Sequence, residues 1–158
     1  MNRFLVTPYG YEKLVADLKF EKEINRPRIV RDIEEARAHG DLSENSEYDD
    51  AKERQSLCEA RISLLENQYA SAEVLDVTKL VPSERVVFGT TVAIENVDTG
   101  DERTWTLVGE NEASVEDRRI SYKSPIGRAL IGKSVGEEVT VQTPGGKQVW
   151  EIVGVEYK

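Results

Sequence analysis

The sequence predicts an α+β protein: an N-terminal antiparallel α-helical coiled-coil hairpin, followed by an antiparallel sheet with one short helix. Three observations carry this. Ala51, Cys58, Ile62, Leu65, Tyr69 and Ala72 fall on a heptad seam, broken in its apolar series by Gln55. Gly40-Asp41 ends one helical pattern and opens the next, a connection so short that the two helices must run antiparallel. Beyond Pro82-Ser83 the apolar period changes from helical to two.

The first arm starts at Thr7-Pro8, with Thr7 as N-cap and Pro8 at the first helical position. Tyr11, Leu14, Val15 and Leu18 follow at helical spacing. Pro27 removes a backbone donor, which predicts a kink or division near Asn25-Arg26. The apolar pattern resumes at Val30, Ile33 and Ala36, and Gly40 supplies the stop. Arms of roughly 30 to 35 residues give a stalk of about 45–50 Å at 1.5 Å per residue. Two helices cover one stripe of each other, so their outer faces are charged and the end of the stalk belongs to no core.

The second half reads as strands at Val86-Phe88, Val92-Ile94, Arg103–Val108 and Ile120–Tyr122, with a hairpin turn at Asp98-Thr99-Gly100-Asp101. Ser124-Pro125 opens a short helix through Ile126, Ala129 and Leu130, stopped by Gly132. Val139–Val141, the turn Pro144-Gly145-Gly146 and Val149–Tyr157 make a last hairpin. The expected organisation is a coiled-coil hairpin over 1–76, a linker over 77–84 and a sheet domain over 85–158. That domain has no His, no Cys, no phosphate-binding glycine loop and no nucleophile elbow, so a binding module is the expectation.

Composition narrows the class. A net charge of −9 in 158 residues excludes bulk electrostatic binding to free duplex DNA or anionic membrane. One Cys and one His exclude a disulfide framework and a thiolate–imidazole zinc site. No signal-peptide core and no membrane-length apolar run are present, so the expected location is cytoplasmic, with no membrane partner.

The stretch Gly40–Asp50 concentrates five carboxylates, Asp41, Glu44, Glu47, Asp49 and Asp50, with no base among them. One reading is a capping box, in which Asp41 and Glu44 satisfy free amides at a helix start and the other acids are a solvated face. The other reading is metal binding. Residues three apart at a helix start share a side, so both carboxylates can meet one cation. Two carboxylates leave most positions of Mg²⁺ to water or a partner, so such a site works only inside a partner that supplies more ligands. A calcium loop is excluded, because Ser46 stands where its Gly is needed and Lys52 where its bidentate Glu belongs. Arg37 one turn before Asp41, and Lys52 one turn after Tyr48, could hold an RNA backbone, with Tyr48 stacking or shaping the tip. Equally, the two cations balance neighbouring acids. His39 reads as a residue near a helix C-terminus and Cys58 as a buried seam residue.

The run Glu35-Ala36-Arg37-Ala38-His39-Gly40-Asp41-Leu42-Ser43-Glu44-Asn45-Ser46-Glu47-Tyr48 closely resembles the coiled-coil tip of the bacterial Gre factors. Thr7-Pro8 with Gly10, Arg26-Pro27, Leu57–Ile62, Val86–Gly89, Ser124-Pro125-Ile126 with Leu130–Lys133, and Thr143–Gly146 resemble the same family in order along the chain. Leu42, the acidic balance and Leu57-Cys58-Glu59 are more similar to the GreA type than to GreB.

The resemblance implies a monomeric transcript cleavage factor that is not itself an enzyme. Its coiled coil would enter the secondary channel of bacterial RNA polymerase, and its FKBP-like C-terminal domain would dock at the rim. Asp41 and Glu44 would complete the coordination of a Mg²⁺ shared with the polymerase active site and help position water. The nascent RNA 3′ end is then cleaved by the polymerase. Arg37 and Lys52 would face RNA, Tyr48 would support the tip, and Ser124, Pro125 and Ile126 would meet the polymerase. The FKBP likeness implies no prolyl isomerase activity. Two alternatives remain: a relative that occupies the same channel and inhibits, against which the intact Asp41–Glu44 pair argues, and a coiled-coil adaptor without metal.

Overall fold

The computed structural model describes residues 3–40 and 46–158. They form two compact units, Tyr11–Ala72 and Met1–Gly10 with Glu73–Lys158. Residues 1–10, expected with the hairpin, thus group with the second unit. The reason is a strand absent from the sequence reading: β1 (Phe4–Val6) pairs with β2 (Ala72–Val74) in a two-stranded sheet.

The first unit is the helical hairpin: α1 (Pro8–Phe20), a π turn at Glu21–Asn25, α2 (Arg26–Ala38) and α3 (Ser46–Ser71). The break expected near Pro27 takes the form of that π turn. The amide of Arg26 reaches back five residues to the Glu21 carbonyl, which admits one extra residue just ahead of the proline. The extra residue shifts the apolar phase of the arm. Ile29 is therefore the seam residue, 2 % exposed, while Val30, expected there, is 39 % exposed.

On the return arm the heptad holds where it is strict. Ala51, Cys58 and Ile62 close an apolar cluster with Ile29 and Ile33, and Leu65 is also buried. It fails at its end. Ala72 has left the helix for β2, and Tyr69 is 48 % exposed, stacked on Tyr11 with ring centroids 5.9 Å apart. The described part of α3, 26 residues, is about 39 Å long, and it ends where Ala72–Val74 become strand. Outside the seam, Lys22–Glu66 (3.1 Å), Arg26–Glu59 (2.9 Å) and Asp32–Arg54 (2.9 Å) tie the arms together in antiparallel order. Each is an exposed pair that contributes about 0–1 kcal/mol.

One carboxylate lies inside the seam. Glu21 accepts hydrogen bonds from Asn25 Nδ2 (2.8 Å) and Cys58 Sγ (3.4 Å) and pairs with Arg61 Nε (3.0 Å). Burial, and then the bond to Glu21, push the Cys58 thiol above its ordinary pKa.

In the second unit, β3 (Thr91–Asn96), β4 (Glu102–Val108), β5 (Arg119–Ser121), β6 (Glu138–Thr143) and β7 (Gly146–Glu156) form one sheet in the order β5-β4-β3-β7-β6. It is a mixed sheet rather than a purely antiparallel one, because β5 runs parallel to β4 with Leu107 opposite Ile120. The β3–β4 turn follows its sequence signal: Asn96 Oδ1 accepts the amides of Asp98 and Thr99, and Gly100 takes φ +76°.

Inward positions alternate along β3 and β6. Val92, Ile94, Leu107, Val139, Val141, Trp150 and Ile152 close the core with Leu130 from α4 (Pro125–Leu130). Val86–Phe88, expected as a strand, is an extended segment outside the ladder. Its bonds run to the loop after α4, with Val86 N on Lys133 O (2.8 Å) and Gly132 N on Val86 O (2.9 Å). The expected linker holds a 3₁₀ turn, Val77–Lys79, whose Val77 is buried.

Thr7 caps α1 as its sequence predicts, accepting the Gly10 amide at 3.1 Å. The reciprocal acid of this cap comes from far along the chain. The buried Glu112 accepts Thr7 N (3.0 Å), the Thr7 hydroxyl, Gly109 N (2.9 Å) and Arg119 Nη2 (3.0 Å). A Cβ at Gly10 would lie 2.2 Å from the Glu112 carboxyl carbon, so the cap requires glycine there.

Two stability predictions follow from this packing. Ile94 is fully buried opposite Ile152, so Ile94→Ala should cost about 2–5 kcal/mol, read as a lower urea midpoint at unchanged slope. Cys58 is buried, and burial raises its thiol pKa. At pH 8 it should react with a disulfide reagent on the order of 100-fold more slowly than a free thiol, until denaturant is added.

Candidate functional site

The sequence places its candidate site where α2 gives way to α3. Asp41 and Glu44, the pair expected either to cap or to hold Mg²⁺, lie outside the described residues. Their flanks are described. Arg37 sits exposed in the last turn of α2, where a cation also complements the helix dipole. His39 is the C-cap residue, and Gly40 takes φ +101° with its amide on the Arg37 carbonyl (3.2 Å), the stop its type predicts.

On the far side, Ser46 is the first described residue of α3, with Glu47 and Asp49 in the first turn, where acids are favoured. Asp50 and Lys52 are exposed, and Lys52 Nζ donates to Gln55 Oε1 (3.0 Å) on its own helix. Tyr48 is half-buried against the Ile29–Ile62 cluster, so part of its ring is committed to packing. The structure thus sets Arg37, Tyr48 and Lys52 in the turns that flank residues 41–45, with both cations on solvent.

The donor chemistry can be weighed from the residue types. Asp41 and Glu44 offer hard carboxylate oxygens of the kind Mg²⁺ takes, and too few of them to fill its octahedron. Among the described residues, no group of three or more His, Cys, Asp or Glu side chains is placed to hold a metal ion.

The expected docking residues form the start of α4. Ser124 Oγ accepts the Gly127 amide (3.1 Å) and donates to Ser121 O (2.7 Å), so this side chain is a helix cap. Pro125 at the first helical position is exposed, while Ile126 packs partly against the core. Gly127 is buried so closely that a Cβ there would lie 2.4 Å from Ser121 O. The turn is thus rigidly held, with Pro125 outward.

The same unit contains a cleft of about 360 Å³ whose described lining includes Tyr9, Asp76, Val77, Gly89, Thr106 and Arg119. Its polar groups already have structural work. Asp76 accepts Thr78 Oγ1 (2.6 Å) and Thr78 N (3.0 Å), bonds that hold its carboxyl below the usual range and make it a poor base. Arg119 lies 4.9 Å from the Tyr9 ring centre and is paired with Glu112. Sequence reasoning missed both buried carboxylates, Glu21 and Glu112. Thr7 with Gly10 hinted at a cap but not at its distant acid.

Comparison with known proteins matches both parts of the chain. Residues 4–74 match the family model described as transcription elongation factor, N-terminal, and residues 81–157 match transcription elongation factor, GreA/GreB, C-term. Transcription elongation factor GreA of Brucella anthropi is 50% identical over 157 residues, 99% of each chain, and that of Brucella canis is equally similar. Among solved structures, GreA factor homolog 1 of Thermus thermophilus aligns over 98% of this chain and 99% of its own at 29% identity, with a TM-score of 0.44. No helix among the described residues is long and apolar enough to cross a membrane. A full-length match at this identity, with both family models in order, means that the chain belongs to the GreA/GreB family of transcription elongation factors.

Proposed function

We propose that this protein binds bacterial RNA polymerase in the cytoplasm as a monomer, inserts its helical hairpin into the secondary channel, and stimulates Mg²⁺-dependent cleavage of backtracked nascent RNA. The observation that carries the reading is the intact pair Asp41 and Glu44 at the hairpin turn of a GreA/GreB family member. The hairpin geometry supports it. Two antiparallel arms with charged outer faces can enter a polar channel.

The chain itself is not the enzyme. Asp41 and Glu44 would hold a Mg²⁺ jointly with the polymerase, which supplies the missing ligands; the ion would neutralise charge on the phosphoryl oxygens and lower the pKa of water. The same two carboxylates accept hydrogen bonds from the attacking water and orient it in line with the scissile bond. Water oxygen joins phosphorus and gives up a proton, the P–O3′ bond breaks, and the departing 3′ oxygen takes up a proton, so that one water is added overall. The products are a short fragment with a 5′ phosphate and a new RNA 3′ hydroxyl for synthesis. Arg37 and Lys52, both exposed, pair with phosphates of the displaced RNA, and Tyr48 steadies the turn through its packing. Pro125 and its neighbours Ser124 and Ile126 form the surface that meets the polymerase at the channel rim, held by the cap at α4.

The test uses stalled, backtracked bacterial polymerase carrying 3′-labelled RNA with Mg²⁺. The native protein should release labelled 3′ fragments rapidly. Asp41→Asn and Glu44→Gln should each slow release by about 100-fold or more, with polymerase affinity kept within a few-fold. Normal cleavage by both variants would remove the metal role and favour an adaptor that docks through charge alone. Inhibition by the native protein would favour a channel-occupying inhibitor.

A further inference from the structure

A carboxylate at a seam position needs a reason. Glu21 is 6 % exposed, on the π turn, in a stripe whose other buried members are apolar. Removing a carboxylate from water is unfavourable unless donors surround it, and a well-packed apolar side chain is often at least as stable at such a place. Here the donors are present and come from both arms: Asn25 Nδ2 at 2.8 Å on its own arm, Arg61 Nε at 3.0 Å and Cys58 Sγ at 3.4 Å on α3.

The native pairing gives Glu21 all three donors. If α1 and α2 slid past α3 by one helical turn, Leu18 or Asn25 would stand in its place; one direction would set Glu21 against Ile62 and Leu65, the other against Gln55, and either would break its present pairing with Arg61. An apolar side chain at position 21 would lose no charge partner by the same slip. The π turn inserts one residue ahead of Pro27, so the inward series across it runs Leu18, Glu21, Asn25 and Ile29.

We propose that Glu21 is a positioning residue that locks the pairing register of the two arms and so sets where Arg37, residues 41–45 and Lys52 are presented. The functional half of this rests on the cleavage reading above. One turn of slip displaces one arm end by about 5.4 Å against the other, and misplacement of a reacting group by 1 Å already costs on the order of 100-fold in rate.

The experiment uses the full chain with Glu21→Leu and Glu21→Gln. Glu21→Leu should melt within a few degrees of the native protein or above it, which separates the effect from misfolding. Spin labels at the exposed positions 31 and 56, in a Cys58→Ser background that keeps a donor to Glu21, report register directly. The native seam should give one narrow distance, and Glu21→Leu a broadened or split one. On backtracked polymerase, Glu21→Leu should lower the maximal cleavage rate about 10-fold or more while leaving affinity within twofold. Glu21→Gln, which keeps the bonds to Asn25 and Cys58, should recover most of it.

A single unchanged distance in Glu21→Leu, or a native maximal rate despite a broadened one, overturns the proposal. If the native chain stimulates no cleavage, the functional reading fails on its own, and the distance measurement still decides the register.

Discussion

Two helices that face only each other can hide one stripe apiece, and most features of the hairpin follow from that limit. Ile29, Ile33, Ala51, Cys58 and Ile62 occupy the stripe, and the remaining surface must be charged to stay in water. The exposed cross-arm pairs, such as Arg26–Glu59, align the arms but are weak and screened by salt. Near the end of the hairpin the stripe takes Ala36, Ala51 and part of Tyr48, and Arg37 and Lys52 lie off it. Arg37 and Lys52 therefore stand in solvent, available to whatever the turn meets.

The second unit answers the burial problem differently, and its carboxylate shows the contrast. A five-stranded sheet with α4 closes a contiguous core, so stability there comes from Ile94, Leu107, Leu130 and Ile152 rather than from paired charges. Glu112 gathers the amides of Thr7 and Gly109, the Thr7 hydroxyl and Arg119, all groups that would otherwise be short of partners. It stabilises by completing a helix cap, and it forces glycine at position 10. Glu21 completes no cap. Its donors are side chains, two of them on the opposite arm, so what it adds is alignment.

The contrast explains what was legible in the sequence. The return arm was readable because its heptad spacing runs from Ala51 to Leu65 with Gln55 its one polar position, and Gly40, Gly100 and Gly132 take positive φ where their type predicted a stop or turn. The first arm was misread by one residue, Val30 for Ile29, because a periodic reading carries a single phase and the π turn ahead of Pro27 changes it. Val86–Phe88 has the composition of a strand but finds its partners in the loop after α4, a non-local fact. The parallel run of β5 was hidden for a similar reason, since three residues carry no sign of direction. Nothing in the sequence marked Glu21 or Glu112, because each has a partner 37 or 105 residues away. The acidic pair was conspicuous, but its residue types alone fit both a cap and a metal.

In the proposed mode, an incomplete ligand set and a locked register need each other. Two carboxylates alone hold Mg²⁺ weakly, so the factor carries no metal into the channel, and reactivity depends on where the acids arrive. Ligation of Mg²⁺ tolerates distances of about 2.0–2.1 Å, whereas slip of a coiled coil comes in steps of about 5.4 Å, a whole turn. A seam held by apolar contacts alone would leave those steps close in energy. A buried carboxylate with donors on both arms separates them, because a wrong step breaks its pairing with Arg61. A long, narrow hairpin that must deliver two oxygens to one place thus has a physical use for a polar residue in its seam, even where an apolar one would be as stable.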